Sequence, residues 1–141
     1  MTRPNPQIDL GPIDCSVALL VCDLALPDRP IVYASDPFLE LTGYQSSEIL
    51  GRNCRFLQAP GGIVQAGSLR QYVNQDVVKK MKMSVDQNQE VQVEVVNFKK
   101  NGQQFLNLLT IIPIQWDSDY YRYSVGFQCD ELAMSGLNQG I

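Results

Sequence analysis

Histidine is missing from the chain, and its absence narrows the chemistry that the protein can perform. Without an imidazole, the chain cannot build a Ser-His-Asp or Cys-His nucleophile system, or a zinc site with histidine ligands. Its four cysteines show no CxxC spacing, so a structural zinc site is not expected either. We therefore expect no metal, and unpaired thiols of this kind are typical of a protein inside the cell, in the cytoplasm or the nucleus.

Signals for a membrane or a nucleic-acid partner are also missing. The N-terminus, MTRPNPQIDL, has no apolar signal-peptide core, and no apolar run approaches the ~20 residues of a membrane-spanning helix. The 11 basic and 15 acidic residues give a net charge of −4, which indicates no surface for nucleic acid. Because 45% of the 141 residues are hydrophobic and 18% are charged, the composition is that of one globular domain.

The order of predicted strands and helices indicates an α+β fold. Strands are predicted at 17–23 and 31–34, from Glu90 to the Asn101-Gly102 turn, at 103–114 and at 120–129. Short helices are predicted at 35–43, 46–51 and 74–87, with Ser35 capping the first and Ser46 or Ser47 capping the second. We expect a domain at 17–131, an N-terminal lead-in at 1–16 and a tail at 132–141.

Three amide side chains stand out on the predicted strands: Asn97 and Asn107 on faces that are otherwise apolar, and Gln128 on the face of Ser124 and Gly126. A buried amide without a partner costs about 1–3 kcal/mol, so each side chain needs one. Backbone groups at strand ends would serve, and so would a ligand edge that alternates C=O and N–H. Gly126, on the same face as Gln128, would let a flat ligand approach the sheet closely.

The loop around Asn101-Gly102 decides whether Asn97 and Asn107 can share a pocket. A two-residue turn would place them on opposite faces, whereas an odd-length loop with a left-handed Gly102 and a bulge places them on the same face. We predict the odd-length loop. The other face of the sheet is also apolar, and residues 1–16, a neighbouring domain or a partner chain would have to cover it.

The segment GRNCRFLQ, at 51–58, carries the most specific pattern. Cys54 lies on a predicted helical turn between Asn53 and Arg55, and the planar guanidinium of Arg55 suits a phosphate. A role for Cys54 as an enzyme nucleophile is weakly supported by the residues alone, because no histidine can serve as its base. The simplest interpretation of the other cysteines, at 15, 22 and 129, is that they are small buried hydrophobic residues.

GRNCRFLQ is similar to the signature of LOV domains, the flavin-binding blue-light photosensors of the PAS superfamily. The likeness covers residues from about 5 to 131 and includes VYAS, NFKKNG, FLN and GFQ. The RPNPQ lead-in and the long loop after the cysteine resemble the fungal Vivid and white-collar type. The resemblance implies a PAS fold, in which a five-stranded antiparallel sheet carries short helices on one face and encloses a flavin. It also implies a photochemical switch rather than an enzyme.

The resemblance assigns roles to the matched residues. Cys54 would form a reversible adduct with flavin C4a under blue light, flavin N5 would be protonated, and Gln128 would reorient its amide. The residues implied in flavin binding are Asn53, Arg55, Gln58, Lys79, Lys82, Asn97, Asn107 and Gln128. The two lysines stand in for a second phosphate-binding arginine, and they equally fit a solvated helix face.

The resemblance also bears on the cofactor and the partners. The loop at 59–70 is similar to the insertion with which fungal members accommodate the adenine of FAD, which favours FAD and leaves FMN as the alternative. We expect signalling through the N-terminal segment to a light-activated homodimer, or to other PAS- or LOV-containing regulators. A redox sensor, in which oxidation of Cys15 or Cys22 drives association, is the second hypothesis, and a flavin-free PAS interaction domain is the third.

Overall fold

A computed structural model describes residues 17–65, 72–115 and 122–131. The strands are β1 (Ala18–Asp23), β2 (Ile31–Ala34), β3 (Val91–Phe98), β4 (Gln104–Ile114) and β5 (Tyr123–Asp130). They form one antiparallel sheet in the order β2-β1-β5-β4-β3. The helices are α1 (Asp36–Thr42), α2 (Ser46–Ile49), a 3-10 helix (Cys54–Gln58) and α3 (Gln75–Asp86). The predicted α+β fold with a five-stranded antiparallel sheet is confirmed.

The β3–β4 loop has the odd length that the sequence predicts. Asn97 pairs with Phe105 and Val95 pairs with Asn107, so Asn97 and Asn107 share a face of the sheet. Gly102 has a φ of 88°, and its N–H donates to the carbonyl of Lys99 at 2.9 Å. A left-handed residue at this point lets the three-residue loop close with a bulge.

The first two helices begin in different ways. Ser35 caps α1 as predicted, since its hydroxyl oxygen accepts from the N–H of Phe38 at 3.3 Å. For α2, the prediction of Ser46 or Ser47 as the cap is wrong, because the N-cap is Gln45. The backbone N–H of Gln45 donates to the Glu48 carboxylate at 2.9 Å, a capping-box contact that starts the helix one residue earlier.

Both faces of the sheet are apolar, as predicted. On the inner face, one cluster packs around Phe38, Ile49 and Phe56, and a second joins the valines of β3 to Met81 of α3. On the outer face, a third cluster contains Leu19, Val21, Ile112, Ile114, Tyr123, Val125 and Phe127. Residues 1–16 and 132–141 lie outside the described ranges, so the cover of the outer face and the domain limits stay predictions. In the described ranges, no helix has both the length and the apolar character needed to cross a membrane.

Candidate functional site in a cavity between sheet and helices

A cavity of about 430 Å³ lies between the inner face of the sheet and the helices. Its size falls in the range of about 300–1,000 Å³ that is usual for small-molecule sites. Leu20, Val95, Leu109, Ile111, Leu57 and Met81 give it apolar walls. Most of the polar lining residues fall in three places: an amide cluster on β3–β5, a pair of thiols, and a group of charged side chains.

The three amides that the sequence singles out come together in the structure. Asn107 Nδ2 donates to Asn97 Oδ1 at 2.9 Å and to Gln128 Oε1 at 2.6 Å. Asn107 Oδ1 accepts from the backbone N–H of Cys129 at 3.0 Å, so both ends of this fully buried amide are bonded. Asn97 and Gln128 line the cavity, whereas Asn107 is not among the lining residues. Asn107 therefore holds the other two amides at the cavity wall.

Backbone partners complete this amide cluster, as the alternative interpretation of the sequence expected. Asn97 Nδ2 donates to the carbonyl of Val96 at 2.9 Å, and Gln128 Nε2 donates to the carbonyl of Gly126 at 3.1 Å. Gly126 lines the cavity too, and a Cβ added there would lie 3.2 Å from Gln128 Nε2. The missing side chain thus leaves the sheet surface beside Gln128 open to a ligand.

Cys54 faces the cavity from the first residue of the 3-10 helix. Asn53 caps that helix, because its Oδ1 accepts from the N–H of Arg55 at 2.9 Å. Gln58, at the other end of the helix, also lines the cavity. This short helix therefore brings a thiol and an amide to the wall opposite the sheet.

The thiol of Cys22, on β1, donates a hydrogen bond to the sulfur of Cys54. This bond, aided by the positive charge of Arg55, lowers the pKa of the Cys54 thiol against the opposing effect of burial. The same contact, together with burial, raises the pKa of Cys22 above its usual range. Cys54 is thus the more acidic thiol. Sequence reasoning missed this pairing, since it treated Cys22 as a packing residue.

Charged side chains gather at one part of the cavity lining: Asp28, Arg29, Arg55 and Lys82. Arg55 forms an ion pair with Asp28, whose backbone carbonyl accepts from Asn53 Nδ2 at 2.8 Å. Arg29 pairs with Asp86 of α3 at 2.7 Å. Arg55 and Arg29 are each paired with one carboxylate, and Lys82 adds a further positive charge, so the group as a whole is positive and suits an anionic group such as a phosphate.

Only one of the two candidate lysines lines the cavity, and two residues that were not among the predicted site residues line it as well. Both lysines are exposed, but Lys82 lines the cavity whereas Lys79 is not among the lining residues. Asp28 and Arg29 lie in the turn between β1 and β2, where a sequence pattern indicates only a turn, yet both reach the cavity, with left-handed φ values of 63° and 48°. In the described ranges, no group of side chains suited to a metal ion is present.

The chain is similar to known light receptors along most of its length. Residues 16–131 match the family model for the PAS domain. White collar 1 protein of Neurospora crassa is 50% identical over 92% of this chain, and blue light receptor lreA of Aspergillus flavus is 45% identical over 92%. The chain spans only 11% and 15% of those two proteins. The light-state dimer of the fungal blue-light photoreceptor Vivid matches with a TM-score of 0.86 and 59% identity, over 90% of this chain and 86% of that one.

An antiparallel sheet that encloses a ligand-sized cavity under short helices defines a PAS-type sensory domain, and the family match agrees. The chain belongs to the PAS family and, within it, to the fungal LOV domains of the Vivid and white-collar type. The resemblance read from GRNCRFLQ is confirmed.

Replacing Asn107 by aspartate tests whether this amide holds the cluster together. The change keeps the shape but removes the Nδ2 donor, so the oxygens of Asn97 and Gln128 face a new carboxyl. We expect the free energy of unfolding to fall by roughly 3 kcal/mol. Burial raises the pKa of the new carboxyl, so this loss grows as the pH rises above ~4, the pKa of an unfolded aspartate.

Urea unfolding at pH 5 and pH 8 measures both effects. Asn101→Asp is the matched control, because Asn101 is exposed and its Oδ1 only accepts a bond, from the N–H of Gln103 at 2.9 Å. A carboxylate accepts that bond equally well, so we expect a change within about 0.5 kcal/mol. Equal losses at positions 101 and 107 would contradict the role given to Asn107.

Proposed function

We propose that this domain is a blue-light photoreceptor that binds a flavin in the cavity and responds to light through Cys54. The observation that carries the proposal is the Cys54 thiol, held in a ligand-sized cavity opposite Gln128 and Gly126 of the sheet. The similarity to Vivid, a fungal blue-light photoreceptor, supports it. The domain is a switch and not an enzyme that turns over a substrate, and it acts inside the cell.

The described residues fit a flavin. The apolar walls suit the faces of an aromatic ring system, and Gly126 leaves room for a ring to lie near the sheet. Asn97 and Gln128, with Gln58 on the opposite wall, offer donors and acceptors to the polar edge of the ring, and Asn107 acts by positioning them. A bound flavin would supply blue-light absorption and a ring carbon that a thiol can attack.

Two residues of this chain carry the response in our proposal. Cys54 would give up its thiol proton as its sulfur bonded to that ring carbon of a bound flavin, and the lowered pKa of the thiol favours the loss of the proton. Gln128 then exchanges its amide oxygen and nitrogen. The exchange breaks the bonds from Asn107 Nδ2 to Gln128 Oε1 and from Gln128 Nε2 to Gly126. Because Gln128 pairs with Ala18 in the sheet, this rearrangement of hydrogen bonds would be passed to β1 and to the segment before it.

Replacing Cys54 by alanine tests the photochemical role. We expect the Cys54→Ala protein to keep its bound flavin and yellow colour but to lose the reversible bleaching of the visible band under blue light, since no thiol remains at the cavity wall. Absorption spectra before illumination, after it and during dark recovery measure this. Cys129→Ala is the control, because Cys129 is not among the lining residues. If Cys54→Ala still bleached and recovered, the assignment would be wrong.

We propose that the cofactor carries a phosphate, which Arg55 holds by ionic contacts together with Lys82, and that Asn53 positions Arg55. Of the flavin nucleotides we favour FAD over FMN, because residues 59–70 resemble the insertion that holds adenine in fungal LOV domains. In the described part of that loop, Ile63 is 84% exposed, which leaves an apolar surface for an adenine ring. Chromatography of the flavin released on denaturation distinguishes FAD from FMN.

Lys82→Gln and Lys79→Gln form a matched pair on α3. We expect Lys82→Gln to weaken FAD and FMN binding about tenfold, the order of one charge-assisted contact, and to leave riboflavin binding unchanged. Lys79→Gln should change none of the three affinities, because Lys79 does not line the cavity. Titration of the flavin-free protein with each flavin measures the dissociation constants. Equal effects from both lysines would instead indicate a general surface charge.

We propose that illumination drives two copies of the domain together, with other PAS- or LOV-containing regulators as further partners. The solved light-state dimer of Vivid and the apolar outer face of the sheet support this output. The hypothesis that oxidation of Cys15 or Cys22 drives association has less support. Cys22 is buried and its thiol is hydrogen-bonded to Cys54, which does not favour a disulfide between two chains. Cys15 lies outside the described residues.

Replacing Gln128 by leucine tests whether this amide passes the signal. We expect Gln128→Leu to bleach under blue light, because Cys54 is intact, but to lose the light-dependent increase in size that we expect of the wild-type chain. Leucine has no amide to exchange, so the bonds to Asn107 and Gly126 cannot respond. Size-exclusion chromatography in darkness and under blue light measures this. A Gln128→Leu protein that associates in light as the wild type does would refute the role.

A further inference from the structure

We propose that Cys22 and Cys54 are a redox-sensitive pair that closes into an internal disulfide when the protein meets a peroxide. The bond would tie up the thiol on which the light response depends, so the photoreceptor would be silenced while oxidant persists. The first half of this inference concerns the two thiols alone, and the second half rests on the proposed function.

The backbone holds the two cysteines next to each other although 31 residues separate them. Cys22 of β1 pairs with Ile31 of β2. On its other side, Ile31 donates to the carbonyl of Arg52 at 2.8 Å and accepts from the N–H of Gly51 at 2.9 Å. The segment that leads into the 3-10 helix is therefore fastened to the residue opposite Cys22.

The side chains meet as the backbone requires. Cys22 and Cys54 belong to the same apolar cluster and line the same cavity, and the thiol of Cys22 donates to the sulfur of Cys54. Both are free thiols. A disulfide requires Cβ atoms within about 4.5 Å, a separation that the backbone sets, and rotation about χ1 then brings the two sulfurs together.

One thiol reacts with the peroxide, and the other then closes the disulfide. The Cys54 sulfur, the more acidic of the two, attacks one oxygen of hydrogen peroxide, the O–O bond breaks, and one water leaves. The sulfur of Cys22 then attacks the Cys54 sulfenic acid, the S–S bond forms, the S–O bond breaks, and the Cys22 proton leaves with hydroxide as a second water. Two thiols lose two electrons and two protons in total, and one peroxide becomes two waters.

Cys129 is not a competing partner. It follows Gln128 on β5, so its side chain lies on the opposite face of the sheet from the amide cluster, and it does not line the cavity. Cys129→Ser is therefore a control variant, because it removes a thiol that is not expected to take part in the disulfide. Cys15→Ser supplies a second control, for the cysteine outside the described ranges.

The test treats the flavin-loaded, full-length protein with excess hydrogen peroxide in darkness. We expect the wild-type chain to lose two titratable thiols and about 2 Da, and to run as a monomer on a non-reducing gel. A proteolytic peptide containing Cys54 should be joined to the one containing Cys22. Blue-light bleaching, relative to the same sample before peroxide, should be lost and then restored by dithiothreitol. Cys15→Ser and Cys129→Ser should behave in the same way.

The Cys22→Ser variant tests whether Cys22 is the cysteine that forms the disulfide with Cys54. Without Cys22, excess peroxide carries Cys54 on to the sulfinic acid, so the loss of bleaching should resist dithiothreitol and no linked peptide should form. The inference is overturned if the wild type gives no linkage between these two peptides, or if Cys22→Ser recovers with dithiothreitol as fully as the wild type. If the protein does not bleach under blue light even before peroxide is added, the proposed function is refuted. The presence or absence of the linked peptides would still show whether Cys22 and Cys54 form a disulfide.

Discussion

Because the β3–β4 loop closes through a left-handed Gly102, Asn97 and Asn107 emerge on the same side of the sheet, and the amide cluster depends on that parity. One residue more or fewer in the loop would move one of them to the outer face. Asn107 would then lose Asn97 as its neighbour, and a shift of Asn107 itself would also take away the partner that holds Gln128 at the cavity wall. A single backbone conformation far from the cavity thus determines what polar chemistry the sheet presents there.

Much of the fold could be predicted because its signals are local. Alternation of polar and apolar residues after Glu90 predicts β3, a continuous apolar run predicts β1, and Asn101-Gly102 predicts the loop that joins β3 to β4. Ser35 and Gly43 predict the limits of α1. Of the candidate site residues, Asn97 and Asn107 could be placed on one face once the odd length of the loop between them was predicted. The cap of α2 was missed because serine is the commoner cap, and the Glu48 carboxylate that favours Gln45 acts from three residues away.

The rest of the site depends on contacts between segments distant in the chain, which no local pattern encodes. Asp28 and Arg29 read as turn residues, and only the folded chain shows that they meet Arg55 of the 3-10 helix and Asp86 of α3. The same holds for Cys22 and Cys54, which β2 joins through Ile31. Lys79 and Lys82 are close in sequence, yet the pitch of α3 sends only Lys82 to the cavity.

The turn between β1 and β2 also sets a limit on engineering the domain for stability. Asp28 and Arg29 adopt left-handed conformations that cost an ordinary residue roughly 1 kcal/mol each, so glycine at either position would relieve the backbone. The same substitution would delete the carboxylate that pairs with Arg55 or the guanidinium that pairs with Asp86. A designer selecting only for melting temperature would be drawn to these two positions and would disconnect the turn from two walls of the cavity.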